Sequence, residues 1–330
     1  MRDRIVSIEA FRFIFMVVLC LFHFSEYVTI YHGYLVVEFF FVLSGVLLYN
    51  SIRQNENIGT LGFAIKRYKR LWIEYSIAAT FSFFALSRSK MISLNIDDLL
   101  NFILSYLSEL LLLPSGILFP RYVNGPSWYI SILLIVSFVL YPFLKKYRQQ
   151  TLTMFLPSIF ILCLLLVFSN AHLYACGDIW SLFRGFADIS LGIMLGHFLY
   201  VKKDFLKNST FIINTLSLIS LLFILLLIFS KHSDENDVYI FIFLPVFIIG
   251  LFYEGTLYNK YLNTTIWRTL GGISYSMLLI HYFVRGLLVY FNIGNYMGNI
   301  AMILCYLFLV IVLSFCLKMM ADKLRLLLGW

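Results

Sequence analysis

Uncharged apolar runs alternate with short polar clusters from residue 5 to the C-terminal end of the chain. Ten runs have the length and character of membrane-spanning helices: 6–30, 34–51, 71–87, 128–144, 152–169, 182–200, 211–230, 238–254, 270–291 and 298–319. A helix needs about 20 mainly apolar residues to cross a bilayer. Hydrophobicity within each run is nearly continuous, which predicts helices; strands of a barrel would show weak alternation. A further run, 99–113, is interrupted by Ser105, Ser108 and Glu109 and reads as an interfacial or re-entrant helix. The expected fold is therefore all-α, a polytopic transmembrane bundle of about ten spans formed by one domain over 1–330.

Composition agrees. Of 330 residues, 61% are hydrophobic and only 13% charged, where a soluble domain keeps roughly a quarter charged. No small-residue cleavage site follows the first run and more spans come after it, so the run is expected to remain in the chain. The net charge of +8 raises nucleic acid as a partner. The positions of the charges argue instead for a membrane face, with no nucleic acid as partner. Of the 25 Lys and Arg, those at Arg2 and Arg4, in 53–70, in 145–148, at Lys202, Lys203 and Lys207, at Lys260 and Arg268, and in 318–325 share the N-terminal side. Only Arg88, Lys90, Arg121 and Lys231 fall on the other side, and Arg12, Arg184 and Arg285 lie in spans. This asymmetry places both termini in the cytoplasm. The five cysteines form no CxxC pair and four lie in apolar runs, so they read as packing residues; no metal-ligand spacing is present and no metal is expected.

The first run carries two costly side chains, Arg12 and His23. Eleven positions separate them, close to three helical turns, so they share one face about 16 Å apart along the axis. An arginine at a helix centre costs about 2.5–3.5 kcal/mol on insertion scales and marks a functional position. Glu9, three positions earlier, can pair with Arg12. The plainer alternative has Arg12 snorkelling to the headgroups and His23 bonding a neighbouring helix. Glu38 sits near the same end of the second span as His23 and is expected to accept from one ring nitrogen, leaving the other as a base; the alternative is that Glu38 pairs with a basic residue. Arg184 and Asp188 form an i,i+4 pair that can neutralise itself. His281 lies near a midplane, where interhelical bonding is the commoner role. Trp128 opens a span, and Arg67 and Arg70 precede the third, where they can obey the charge rule or hold a phosphate.

Five stretches, in order, resemble the acyltransferase family 3 of integral membrane proteins: "IEAFRFIFMVVLCLFHF" at 8–24, with its arginine-ten-residues-histidine spacing; "VEFFFVLSGVLL" at 37–48; "FAIKRYKRLW" at 63–72; "NGPSWYIS" at 124–131; and "LGGISYSMLLIH" at 270–281. The chain carries glutamate at Glu9 and Glu38 where that family more often has aspartate, Ile73 where a proline is common, and lacks the glutamate after the Asn–Trp motif and the Glu-Lys-Pro-like ending. The resemblance implies acyl transfer, usually acetyl, from cytoplasmic acyl-CoA as co-substrate, with no bound cofactor, to a hydroxyl of an extracytoplasmic carbohydrate or glycolipid. It implies His23 as general base or as acyl carrier, with Arg12 and Glu38 in the catalytic group. Arg12, Arg67 and Arg70 would hold the acyl-CoA, and Glu9, Trp128, Ser274, Tyr275 and His281 would border the passage. The expected location is the bacterial cytoplasmic membrane, multi-pass, with the lipid bilayer as partner. A transporter or flippase is the rival reading; it predicts midplane carboxylates and two related halves, and the sequence shows neither.

Overall fold

The computed structural model describes residues 5–54, 57–90, 96–112, 124–202, 209–253 and 255–329. Arg2, Arg4, Leu113, Arg121, Lys203 and Lys207 of the sequence reading lie outside the described residues. Among the described residues there are helices and no strands. They are α1 (Val6–Phe22), α2 (Val36–Gln54), α3 (Thr60–Lys90), α4 (Ile96–Leu110), α5 (Ser127–Lys146), α6 (Leu156–Asn170), α7 (Ile179–Val201), α8 (Thr210–Phe229), α9 (Ile240–Phe252), the short α10 (Leu257–Leu262) and α11 (Thr265–Gly272), α12 (Ser274–Tyr290) and α13 (Asn299–Leu328).

Each of the ten apolar runs falls on a helix. Seven helical stretches, those containing α2, α5, α6, α7, α8, α9 and α13, are long and apolar enough to cross a membrane, and α11 with α12 makes an eighth if the bent pair is one span. The protein is thus a multi-pass helical membrane protein. α1 is a shorter apolar helix of 17 residues, and α3 is 31 residues long because the basic stretch before its apolar part is helical as well. The first helix ends at Phe22, earlier than the apolar run, because the chain turns there; the backbone N–H of Phe24 and Tyr27 bond the carbonyls of Leu21 and Phe24. α4 lies along α3, tied by Trp72 Nε1 to the Leu110 carbonyl at 2.7 Å and by Phe83 stacked between Phe102 and Tyr106.

Lipid tails are as apolar as leucine, so helix association rests on close packing and on polar bonds between helices. α2 and α7 meet through Gly45 and Gly192. A Cβ on Gly45 would stand 2.8 Å from Gly192 Cα, and one on Gly192 would stand 2.9 Å from Gly45 Cα. α1 is clamped against α2 and α9 by edge-to-face rings, with Phe11 at 4.8 Å from Phe247 and Phe15 at 4.8 Å from Phe39. α7 begins with a reciprocal cap: Ser181 N–H donates to Asp178 Oδ1 at 2.9 Å and Asp178 N–H to Ser181 Oγ at 3.1 Å.

The bend of 54° between α11 and α12 exposes backbone groups that hydrocarbon cannot satisfy. Ser274 Oγ donates to the Gly271 carbonyl at 2.8 Å, and Lys318 Nζ of α13 donates to the Gly272 carbonyl at 2.7 Å. Gly271 presses against the backbone of Glu9 on α1; a Cβ there would lie 2.6 Å from the Glu9 carbonyl carbon. The Gly-Gly-Ile-Ser sequence therefore builds a break that brings α12 alongside α1.

Candidate active site

A cavity of about 1630 Å³ runs between α1, α3, α5 and α12. It is larger than the usual small-molecule pocket of about 300–1,000 Å³. Arg12 and His23 both line it, so the shared face predicted by their spacing is real and opens onto one space. Arg67, Arg70, Trp128, Ser274, Tyr275 and His281 line it too. Glu9 and Glu38 do not line it.

One end is basic. Arg67 and Arg70 project from the first turns of α3, and Lys318 and Arg325 from the far part of α13. Arg325 Nη2 bonds Glu74 Oε1 at 2.9 Å and the Arg70 carbonyl at 2.8 Å, and Glu74 Oε2 accepts from Ser276 at 2.7 Å. Tyr275 donates to the Leu71 carbonyl at 3.0 Å. These bonds weld α3, α12 and α13 around the basic mouth. Arg67 Nε is buried with no hydrogen-bond partner among the described residues. A buried donor left this way is costly, and it is suited to a ligand that brings acceptor oxygens. Arg12 stands further along, bonded by Nη1 to both carboxylate oxygens of Glu9 at 3.0 and 3.1 Å. The i,i+3 pairing is as expected, and it places Glu9 behind Arg12 as its partner rather than on the passage wall.

The other end holds a histidine pair that the sequence reading did not join. His281 Nε2 lies 3.1 Å from His23 Nδ1. His281 Nδ1 lies 2.9 Å from the Leu278 carbonyl and 3.2 Å from that of Met277. A carbonyl can only accept, so in the neutral pair His281 Nδ1 carries the proton and its Nε2 accepts from His23 Nδ1–H. That tautomer leaves a lone pair on His23 Nε2, for which no partner is present among the described residues. The Tyr282 ring packs 4.8 Å from His23 and 4.7 Å from His281, fixing both imidazoles. Just past α1, Glu26 is gripped by Arg285 of α12. Burial would raise the Glu26 carboxyl, but the hydrogen bond and charge of Arg285 outweigh it and hold it below the usual range. The pair ties the end of α1, beside His23, to α12, which carries His281.

The expected His23–Glu38 bond is not formed. Glu38 is fully buried and pairs with Arg184: Arg184 Nε is 3.0 Å from each carboxylate oxygen and Nη2 is 2.6 Å from Oε1. The guanidinium also donates to the carbonyls of Tyr34 at 3.0 Å and Ala175 at 3.2 Å. Arg184 lines the cavity and faces the Trp128 ring at 5.8 Å, while Glu38 sits behind it. Arg184 is thus neutralised across helices by Glu38, and the local pairing with Asp188 is not its main contact. The Asn124–Trp128 motif is held by α4 and α12: Glu109 accepts from Asn124 N–H at 3.0 Å and from Ser127 Oγ at 3.4 Å, and Asn124 Nδ2 donates to the Leu279 carbonyl at 3.2 Å. A buried carboxylate at the start of α5 also complements the helix dipole. Of the polar residues that interrupt the 99–113 run, Glu109 thereby has a structural role beside the site, while Ser105 and Ser108 donate to carbonyls of their own helix.

The multi-pass helical bundle thus surrounds a cavity with mostly apolar walls, basic at one end and bearing an oriented imidazole pair at the other. The family model described as an acyltransferase domain, Acyl_transf_3, matches residues 5–319. The chain therefore belongs to acyltransferase family 3 and is a membrane acyltransferase. No curated protein and no solved structure matches it.

Proposed function

We propose that the protein transfers an acyl group, most simply acetyl, from cytoplasmic acyl-CoA to a hydroxyl of a carbohydrate or glycolipid on the far side of a bacterial cytoplasmic membrane. The observation that carries this reading is that one cavity contains both the basic cluster of Arg12, Arg67 and Arg70 and the His23–His281 pair. The charge asymmetry of the sequence assigns the basic mouth to the cytoplasm. Arg67 and Arg70 then meet the donor's phosphates, where charge-assisted bonds are strongest. The pantetheine arm runs along α1 past Arg12 and delivers the thioester toward His23.

At the far end the acceptor hydroxyl enters within reach of His23 Nε2. That nitrogen takes the hydroxyl proton as the oxygen attacks the thioester carbonyl, a contribution of typically 10²–10⁴-fold. A C–O bond forms and the C–S bond breaks; the proton held on His23 passes to the departing thiolate. His281 orients the ring and accepts its Nδ1–H, so the imidazolium formed in the step stays hydrogen-bonded. Arg184, fixed by Glu38, acts as a buried cation beside Trp128 in the wall. Glu38 supports this arginine and does not touch the reacting groups.

The test is ester formation by purified protein. Labelled acetyl-CoA is supplied with envelope glycan extracts to wild type and to His23→Ala. Label should appear as a base-labile ester on glycan with wild type and fall by about 10²-fold or more with the variant. Unchanged label in His23→Ala would remove the histidine from the chemistry, and no ester with any extract would remove the carbohydrate acceptor.

A further inference from the structure

Outside the cavity, a second cluster of ligating groups sits where the α1–α2 connection meets the α8–α9 connection. His32, His232 and Asp237 each offer one ligand atom, and these atoms all lie within 4.8 Å of one another. His232 Nε2 is 3.0 Å from Asp237 Oδ1, and His32 Nδ1 is 3.4 Å from the same oxygen. Asp234 Oδ1 approaches His32 Nδ1 at 3.8 Å. A tetrahedral zinc-class ion with bonds near 2.0–2.1 Å separates its ligand atoms by about 3.3 Å, so the spacing fits with small adjustments.

Hydrogen bonding around the cluster argues that something positive belongs at its centre. His232 Nδ1 lies 3.2 Å from the Ser230 carbonyl, which can only accept, so that nitrogen carries a proton. In a neutral ring Nε2 then presents a lone pair to the Asp237 carboxylate, an acceptor facing an acceptor. A metal ion between them removes the conflict. The backbone bond to the far nitrogen is also the outer-shell arrangement that orients metal-bound histidines. Asp237 is oriented in the same manner: Tyr34 Oη donates to its other oxygen at 2.6 Å, and the side chain of Asp237 is fully buried. Tyr34 Oη also lies 2.8 Å from His32 Nδ1; its own proton is given to Asp237, so it accepts from His32 Nδ1–H, and that nitrogen gives up its proton when the ion binds. The imidazoles of His32 and His232 stack with centroids 3.7 Å apart, which holds their nitrogens on one side.

We propose that His32, His232 and Asp237, with Asp234 as a further oxygen donor, bind a divalent transition metal of the zinc class. The ion clips the α1–α2 connection to the α8–α9 connection. It lies next to the cavity rim, because Tyr34 both orients Asp237 and lines the cavity. Two of these ligands are separated by 200 positions, which is why no ligand spacing is visible along the chain.

The proposal is tested on the full chain in detergent after removal of metal with a chelator. Co²⁺ is added as a spectroscopic probe and displaced with Zn²⁺. One Co²⁺ per chain should bind with the intense visible bands of a four-coordinate site and be released by Zn²⁺. His232→Ala should abolish the bands, and Tyr34→Phe should weaken binding by about 10–100-fold through loss of the outer-shell bond. Thermal unfolding guards against variants that fold poorly: Zn²⁺ should raise the wild-type midpoint and leave that of His232→Gln unmoved. Absence of saturable Co²⁺ binding to wild type would overturn the proposal and leave a protonated His232 as the positive group. So would binding, or a Zn²⁺-induced midpoint shift, that persists unchanged in the His232 variants.

Discussion

A backbone carbonyl acts on the tautomer of His23 through one intervening side chain, His281. Leu278 fixes the proton on His281 Nδ1, His281 Nε2 then accepts from His23, and His23 Nε2 keeps the lone pair that the proposed mechanism uses as a base. His281→Ala should keep the cavity and lower kcat by at least about 10-fold, with KM for acyl-CoA little changed, because an imidazole in the wrong tautomer is a poor base. Steady-state kinetics with acetyl-CoA would read this, and a pure KM effect would contradict it. Arg67→Ala should do the opposite. Losing a bond to a charged group costs about 1.5–3 kcal/mol, so KM for acyl-CoA should rise about 10–100-fold with kcat nearly intact. Sequence alone reached Arg12, His23 and the Arg12–Glu9 pair because helix geometry ties positions three and eleven apart. It did not reach His23–His281 or Glu38–Arg184, whose partners are 258 and 146 positions apart. Glu38 was legible as a buried acid in an apolar run, but its partner was not.

Among the helices, the contacts that shape the site are those that permit close approach or neutralise charge. Glu38→Ala would leave Arg184 buried without its counter-ion, at 1% exposure of the side chain, and removing one partner of such a pair costs about 3–5 kcal/mol. The detergent-solubilised variant should unfold at markedly lower temperature, and Glu38→Gln should recover only part of the loss. Gly192→Leu should also be damaging, by a different route, since its side chain would be driven into the α2 backbone; overpacking of this kind costs about 1–3 kcal/mol or more. Monodispersity on size-exclusion chromatography would report both, and a normal profile for Gly192→Leu would contradict the close α2–α7 crossing. Helix positions were readable from the apolar runs. The extension of α3 back to Thr60 was not, because amphipathic basic turns look like a loop to a hydropathy reading. The bend before α12 was half visible: Gly271 and Gly272 announce a break, but the bonds from Ser274 and Lys318 that satisfy it depend on tertiary packing.

For the whole molecule, the proposed transfer depends on a passage whose two ends carry different groups. The basic mouth is built by α3 and α13, the histidine end by α1 and α12, and the bent pair α11–α12 brings them into one space. A sealed vesicle separates the two ends experimentally. Purified protein is reconstituted into proteoliposomes loaded with a glycan acceptor that wild type acylates in detergent, and labelled acetyl-CoA is added only outside. Label should appear on the sealed acceptor, intact vesicles should retain it, and His23→Ala should reduce it by about 10²-fold or more. Label that reaches the acceptor only after the vesicles are permeabilised would contradict a transfer through the membrane along this cavity.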